Sequence, residues 1–174
     1  FVFGFHQRQD PGIASFIPID AYKQVENENT AFVLLGGDKM YDGYAKQIGL
    51  KNFIQLPHTG NENEIHKFLN TLNLYTHGRA DGETFGHVFA EALYHGLPCV
   101  SHAAKNMGHV ETIGPAGIVA SNMNSYVDFM NNMQNNKELY NSLSEKAKEH
   151  FAKNLSIESA MQKIDKIFND IFSF

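Results

Sequence analysis

Two carboxylates stand out by their surroundings. Glu91 is the only Asp, Glu, Lys or Arg between Thr84 and Ala104, and Val88, Phe89, Ala90, Ala92, Leu93 and Tyr94 flank it. An ionised carboxylate in so apolar a helix is costly unless donors meet it, and a carboxylate accepts from two hydroxyls at once, as a ribose or hexose presents them. A Glu that faces solvent on an amphipathic helix stays open as the plainer reading. Glu83 stands upstream, with seven residues between the two. Gly86 then opens the helical pattern. Amides at a helix start have no internal partners and lie at the positive end of the dipole, so the backbone of Phe85, Gly86, His87 and Val88 is suited to an anion, and Gly86 lets a ligand come close.

A second chemistry competes for the same helix. His87, Glu91 and His95 recur at i, i+4 and i+8 and so share a face, which suits zinc or iron, although the HExxH arrangement that would supply a general base is absent. His95 also precedes a helix-ending Gly, where the dipole alone favours a His. Of the other histidines, His58, His66, His77, His102, His109 and His150 are expected on loops and exposed helices, with a place lining the cleft as the alternative for His102. No G-x-G-x-x-G follows the first strand and no G-x-x-x-x-G-K-[ST] occurs, which excludes the dinucleotide fingerprint and the P-loop. Gly36-Gly37-Asp38 reads as a turn.

The elements that must position these residues are legible from periodicity. Short apolar runs predict strands at Phe1 to Phe5, Ala31 to Leu35, Asn52 to Leu56, Leu72 to Thr76, Pro98 to Ser101 and Gly117 to Ala120. Helical spacing falls between them at Ile19 to Glu26, Met40 to Ile48, Glu62 to Asn70, His87 to His95 and Met107 to Ile113. Alternation of this kind implies an α/β domain, a Rossmann-like parallel sheet of about six strands with helices on both faces. Asp20 and Asn61 are the expected N-caps, and Gly49 and Gly96 the expected helix stops. From Ser121 onward the pattern is helical only. It ends in the stripe Ile157, Met161, Ile164, Ile167, Phe168 and Ile171 behind a Ser156 cap, expected to pack on the sheet or on a partner domain because Lys163, Lys166, Asp165 and Asp170 mix on its polar side.

Composition narrows the class. The chain has 174 residues, and 14 Lys plus Arg against 19 Asp plus Glu leave a net charge of −5. The length suits one domain, residues 1–174. The mild acidity argues against duplex nucleic acid as a main partner, since counterion-releasing basic patches are missing. The lone Cys99 excludes an internal disulfide and reads as a small buried hydrophobe. No run is long enough to span a bilayer and no basic n-region opens the chain, so a cytoplasmic location is expected, with room for peripheral membrane association of a longer protein. The chain starts without Met in a strand-like run, and an excised domain is expected.

The stretch from Glu83 to Glu91, E-T-F-G-H-V-F-A-E, followed by H-G-L-P-C-V-S, resembles the E-x7-E segment of family 4 retaining glycosyltransferases with the GT-B fold. Gly108-His109-Val110-Glu111-Thr112-Ile113 with Gly117-Ile118-Val119 is similar to the later G-x-x-E-x-I…G-x-L-V segment, and Gly49-Leu50-Lys51-Asn52-Phe53-Ile54 to the stretch before the base-binding strand end. The likeness is collinear over about residues 1 to 120 and covers the C-terminal, nucleotide-sugar-binding half of such enzymes. It implies transfer of a hexose from a UDP- or GDP-sugar to a hydroxyl acceptor with retention, without a metal or other cofactor, in a cleft completed by an N-terminal domain outside this chain. By the same resemblance Glu91 would bind ribose hydroxyls, Glu83 the donor hexose, and the Phe85, Gly86, His87 and Val88 amides the hexose and diphosphate. Backbone at Gln55, Leu56 and Pro57 would meet the base, and Arg8 the leaving diphosphate. The sequence departs from the family in the first loop, Gly4 to Gly12, which holds Arg8 but no Lys; Lys105 and Arg79 are the substitutes considered, with a solvated surface charge the plainer expectation for each. A nucleotide-sugar-binding module without activity is the alternative this departure leaves open.

Overall fold

The computed structural model describes residues 1–172. Six parallel strands form the main sheet: β1 (Val2–Gln7), β2 (Ala31–Gly36), β3 (Phe53–Leu56), β4 (Leu74–Thr76), β6 (Cys99–His102) and β8 (Gly117–Ala120). Their order across the sheet is β3-β2-β1-β4-β6-β8. Phe3 pairs with both Phe32 of β2 and Leu74 of β4, so β1 is central and nearly every inward position on it is apolar. The expected strands are all present. A separate two-stranded ribbon, β5 (Gly82–Glu83) with β7 (Asn106–Met107), was not read from the sequence, because two-residue strands carry no periodicity.

Helices α1 (Ile17–Val25), α2 (Met40–Gln47), α3 (Glu62–Leu69), α4 (His87–Tyr94) and α5 (His109–Ile113) alternate with the strands. Then α6 (Met123–Asn135), α7 (Lys137–His150) and α8 (Ile157–Phe172) follow without a strand. Helix α1 packs against α6, and α4 packs against α5 and α7, so the sheet is covered on both faces. One continuous core fills the space, built on Phe3, Phe5, Phe32, Tyr22, Tyr75 and Phe89, with Cys99 fully buried in it. Each large side chain removed from water there contributes about 1.5 to 3 kcal/mol.

Asn61 caps α3 by accepting from the Asn63 amide, Ser156 caps α8 by accepting from the Ser159 amide, and Gly49 and Gly96 end α2 and α4 with φ of +69° and +70°. Asp20 is not a cap. Helix α1 starts earlier, after Phe16, with Pro18 in its first turn, where a missing N–H costs nothing. Asp20 instead accepts from the Tyr44 hydroxyl at 2.6 Å and ties α1 to α2. The terminal stripe does not pack on the sheet either. Helix α8 is held chiefly by the π-helical turn Phe151–Leu155, and Ile157, Met161, Ile164, Ile167, Phe168 and Ile171 all remain exposed.

Candidate functional site

In an open parallel sheet a crevice forms beyond the carboxyl ends of two neighbouring strands whose crossovers run in opposite directions. Here those strands are β1 and β4: the chain moves from β1 outward to β3, then returns past β1 to β4 and on to β6. His6, Gln7 and Arg8 leave one side of that crevice and His77 and Arg79 the other. With Ile13, Glu83 and Val88 they enclose a cavity of about 240 Å³.

Glu83 reaches this cavity because β5 pairs with β7, and the Gly108 amide donates to the Glu83 carbonyl at 2.9 Å. Its side chain is mostly covered. His77 Nε2 lies 3.3 Å from Oε1 and Arg79 Nη1 3.5 Å from Oε2. Burial works to raise the Glu83 carboxyl, but the hydrogen bond and electrostatic attraction of His77 and the charge of Arg79 outweigh it and hold Glu83 below the ordinary carboxylate range. Burial also pushes the His77 imidazole down, against the pull of Glu83, so at neutral pH the ring is an uncharged donor.

Glu91 lies at the middle of α4. Its Oε2 accepts from His6 Nε2 at 2.9 Å, and Tyr75 Oη stands 3.3 Å from His6 Nδ1. Partial burial raises the Glu91 carboxyl, yet the His6 N–H and the nearby His87 and His66 bring it below its ordinary value. The carboxylate is therefore neither freely solvated nor orphaned.

Gly86 caps α4 in the left-handed region, with φ +87°, and a Cβ there would meet the Phe89 ring at 2.7 Å. This geometry turns the chain sharply between Glu83 and the helix. The amides of His87 and Val88 then donate to no group among the described residues, since the first helical bonds come from Phe89 and Ala90 back to Gly86. Val88 lines the Glu83 cavity. Phe85 does not: it lines a separate hollow with Glu111, Thr112 and His150.

Gln55, Leu56 and Pro57 sit at the end of β3. Gln55 spans to the β2 exit, donating from Nε2 to the carbonyls of Gly36 at 2.7 Å and Asp38 at 3.1 Å. Leu56 and Pro57 line a larger hollow of about 590 Å³ with Leu35, His58 and Thr59. A small pocket walled by His6, Gln7 and Arg8 on one side and by Leu35, His58 and Thr59 on the other joins it to the Glu83 cavity. The three form one trough along the carboxyl edge of the sheet.

Arg8 lines the trough but is largely exposed and pairs with Asp10 at 3.1 Å. Arg79, expected as a solvated charge, instead forms the opposite wall, held by Asp81 at 2.6 Å. Lys105 is exposed and lies outside that cavity. The histidines depart most from expectation. His77, His102 and His109 are buried rather than spread over loops, and their rings group behind Glu83, with His77 at 6.3 Å from His102 and 6.0 Å from His109. His6 and His77 were not among the residues singled out for the site. Their signal is a His at the carboxyl end of a buried strand, one on each side of the crevice.

His87, Glu91 and His95 are not brought together as a ligand set. His95 turns to His66 Nδ1 at 2.7 Å and Asn70 Oδ1 at 2.8 Å, and among the described residues no group of three His, Cys, Asp or Glu is placed to hold a metal ion.

Comparison with known proteins fixes the family. The family model of glycosyl transferases group 1 matches residues 16–150. The chain belongs to this family. No curated protein matches it. Among solved structures, HepE from Anabaena, crystallised with UDP and glucose, is 21% identical, with a TM-score of 0.78 over 97% of this chain and 48% of that one. S. aureus TarM is 23% identical, with a TM-score of 0.77 over 97% of this chain and 35% of TarM. The C-terminal domain of the group 1 glycosyl transferase LpcC from Francisella tularensis is 15% identical, with a TM-score of 0.72 over 90% of this chain and 87% of that domain. These likenesses speak for the fold alone: a Rossmann-like parallel sheet with helices on both faces, as in domains of GT-B glycosyltransferases. The chain spans about half the length of HepE and about a third of TarM. No helix among the described residues is long and apolar enough to cross a membrane.

Proposed function

We propose that residues 1–174 are the donor-binding domain of a retaining glycosyltransferase that moves a hexose from a nucleoside-diphosphate sugar to a hydroxyl acceptor, without a metal or other cofactor. The observation that carries the reading is the trough itself. Its first cavity gathers the Glu83 carboxylate, the Arg8 and Arg79 guanidinium groups and the start of α4 with its free amides, Arg8 also borders the connecting pocket, and the hollow at the β3 end is largely apolar. Hexose and diphosphate in the first cavity and the base at the β3 end would suit those chemistries.

In this reading Glu83 meets hexose hydroxyls, and the amides of Phe85, Gly86, His87 and Val88 meet the diphosphate side of the sugar. Glu91 exchanges part of its His6 bond for ribose hydroxyls. Gln55, Leu56 and Pro57 border the base, and Arg8 stabilises the departing diphosphate. Charge developing on a leaving diphosphate is the main electrostatic demand of glycosyl transfer. Arg79 brings a second guanidinium to the same cavity, which offsets the missing first-loop Lys and favours an active enzyme over an inert module. The UDP in the HepE complexes favours UDP over GDP as the carrier. An N-terminal domain outside this chain would bind the acceptor and close the cleft, so this domain alone would bind donor and transfer poorly. A cytoplasmic location, peripheral to a membrane in a longer protein, fits that role.

Calorimetric titration with UDP, GDP and ADP tests the reading. Binding of UDP over the other two, weakened in Glu91→Ala, is the expected result; equal binding of all three, or of none, would overturn it.

A further inference from the structure

Glu83 is pinned twice. Its backbone is fixed by the β5–β7 pairing, and its two carboxylate oxygens face different donors, His77 Nε2 at 3.3 Å and Arg79 Nη1 at 3.5 Å. The His77 ring is itself held: Nδ1 lies 3.1 Å from Ser101 Oγ, one face meets Phe89 at 4.7 Å, and the side chain is buried.

The tautomer follows from these contacts. An ionised carboxylate only accepts, so Nε2 carries the proton; Nδ1 of the neutral ring is then an acceptor, and the Ser101 hydroxyl must donate to it. We propose that His77 is a positioning residue: with its tautomer set by Ser101, it holds the Glu83 carboxylate in one orientation and leaves the remaining acceptor positions turned to the cavity. This inference rests on Glu83 being the hexose-facing group of the proposed donor site.

A neutral imidazole suits the task better than a second cation. It gives direction without adding positive charge beside Arg79, and burial keeps it neutral. The charged and titratable groups around Glu83 are His77, Arg79 and Asp81 from the segment after β4, Tyr75 from β4 and His109 from α5, and His6 and Arg8 share its cavity from the β1 side. Of these, His77 alone hydrogen-bonds the carboxylate.

The test uses carbon-13 carboxyl titration of Glu83, assigned with Glu83→Gln, in the wild type, His77→Leu, His77→Gln and Ser101→Ala. UDP and UDP-glucose affinities are measured alongside. Glu83 should titrate low in the wild type and in His77→Gln, whose amide can still donate, and about one unit higher in His77→Leu. His77→Leu should bind UDP-glucose about tenfold more weakly with UDP unchanged, and His77→Gln should recover most of the loss. A merely structural role would weaken both ligands together. An unmoved Glu83 titration, or an unchanged ratio of UDP-glucose to UDP affinity in His77→Leu, overturns the proposal. If His77→Leu fails to fold, Ser101→Ala carries the same comparison, raising the Glu83 titration and weakening UDP-glucose alone. If the wild type binds neither ligand, the donor-site reading falls while the carboxyl titration still decides the role of His77.

Discussion

His6 on β1 and Glu91 on α4, 85 residues apart in the chain, meet at 2.9 Å across the crevice between β1 and β4. The bond joins the strand that borders the crevice to the helix whose start faces it, and it gives the otherwise isolated carboxylate a donor. The plainer reading of Glu91, a Glu that simply faces solvent, does not describe this contact.

Glu91→Ala is therefore expected to weaken UDP binding by about 1 to 3 kcal/mol through lost charge-assisted hydrogen bonds, while the fold persists because the side chain is only half covered. His6→Phe, which removes the donor and keeps the ring volume, should weaken UDP by less. Calorimetry on both variants checks the order, and a folded Glu91→Ala with wild-type affinity for UDP would contradict it.

The main sheet was legible because buried parallel strands and amphipathic helices write long patterns. The six strands and the start of α4 at Gly86 follow from apolar runs and a single glycine. What stayed hidden lies in contacts between distant segments. His77 looks like a loop residue until β4 is seen to end beside β6, where Ser101 takes one ring nitrogen and Glu83 the other. Arg79 looks solvated until β5 folds back and brings Asp81 and Glu83 against it. Asp20 has the right residue type for a cap, yet Pro18 moves the helix start ahead of it. Local propensity lost in each case to a partner that sequence spacing does not reveal.

Acid is expected to destabilise this domain in two steps. His77 and His109 both have folded pKa values pushed down by burial. Above about pH 6.5 neither the folded nor the unfolded chain protonates them and full stability is present. As pH falls below that value the unfolded chain takes up protons that the folded one refuses, so stability is lost toward the lower folded pKa. Glu83 and Glu91 act in the same sense further down, since both lie below their ordinary 4.5 and their contribution fades as pH falls through the folded values. His109 offers a separable check. It is fully buried, stacks on Phe89 at 5.7 Å, and neither ring nitrogen makes a well-aligned hydrogen bond among the described residues, with only the backbone of Glu83 and His102 nearby. His109→Phe keeps the stack and removes the unsatisfied nitrogens, so the unfolding midpoint at pH 7 should hold or rise, by up to about 1 kcal/mol in stability, and the first acid step should become shallower. A midpoint that is flat between pH 7 and 5.5 in the wild type would refute the scheme.

The exposed face of α8 yields a prediction of the opposite kind, a pair of drastic substitutions with little effect. Ile164 and Phe168 are each more than half exposed, and the helix touches the domain chiefly through the preceding π-helical turn. Exposed substitutions away from packing and caps usually change stability by less than about 0.5 kcal/mol, whereas polar replacement of a packed stripe costs several. Ile164→Asp with Phe168→Asp should leave the thermal midpoint and UDP affinity of this domain where they were, and light scattering should show less self-association, because an apolar face of this size is adhesive in water. A drop of several degrees would mean that the stripe packs on the domain in solution. In a two-domain protein whose other half covers α8, the same pair of changes should lower transfer to the acceptor while donor affinity stays constant, which separates a role in joining the halves from one in holding the sugar nucleotide.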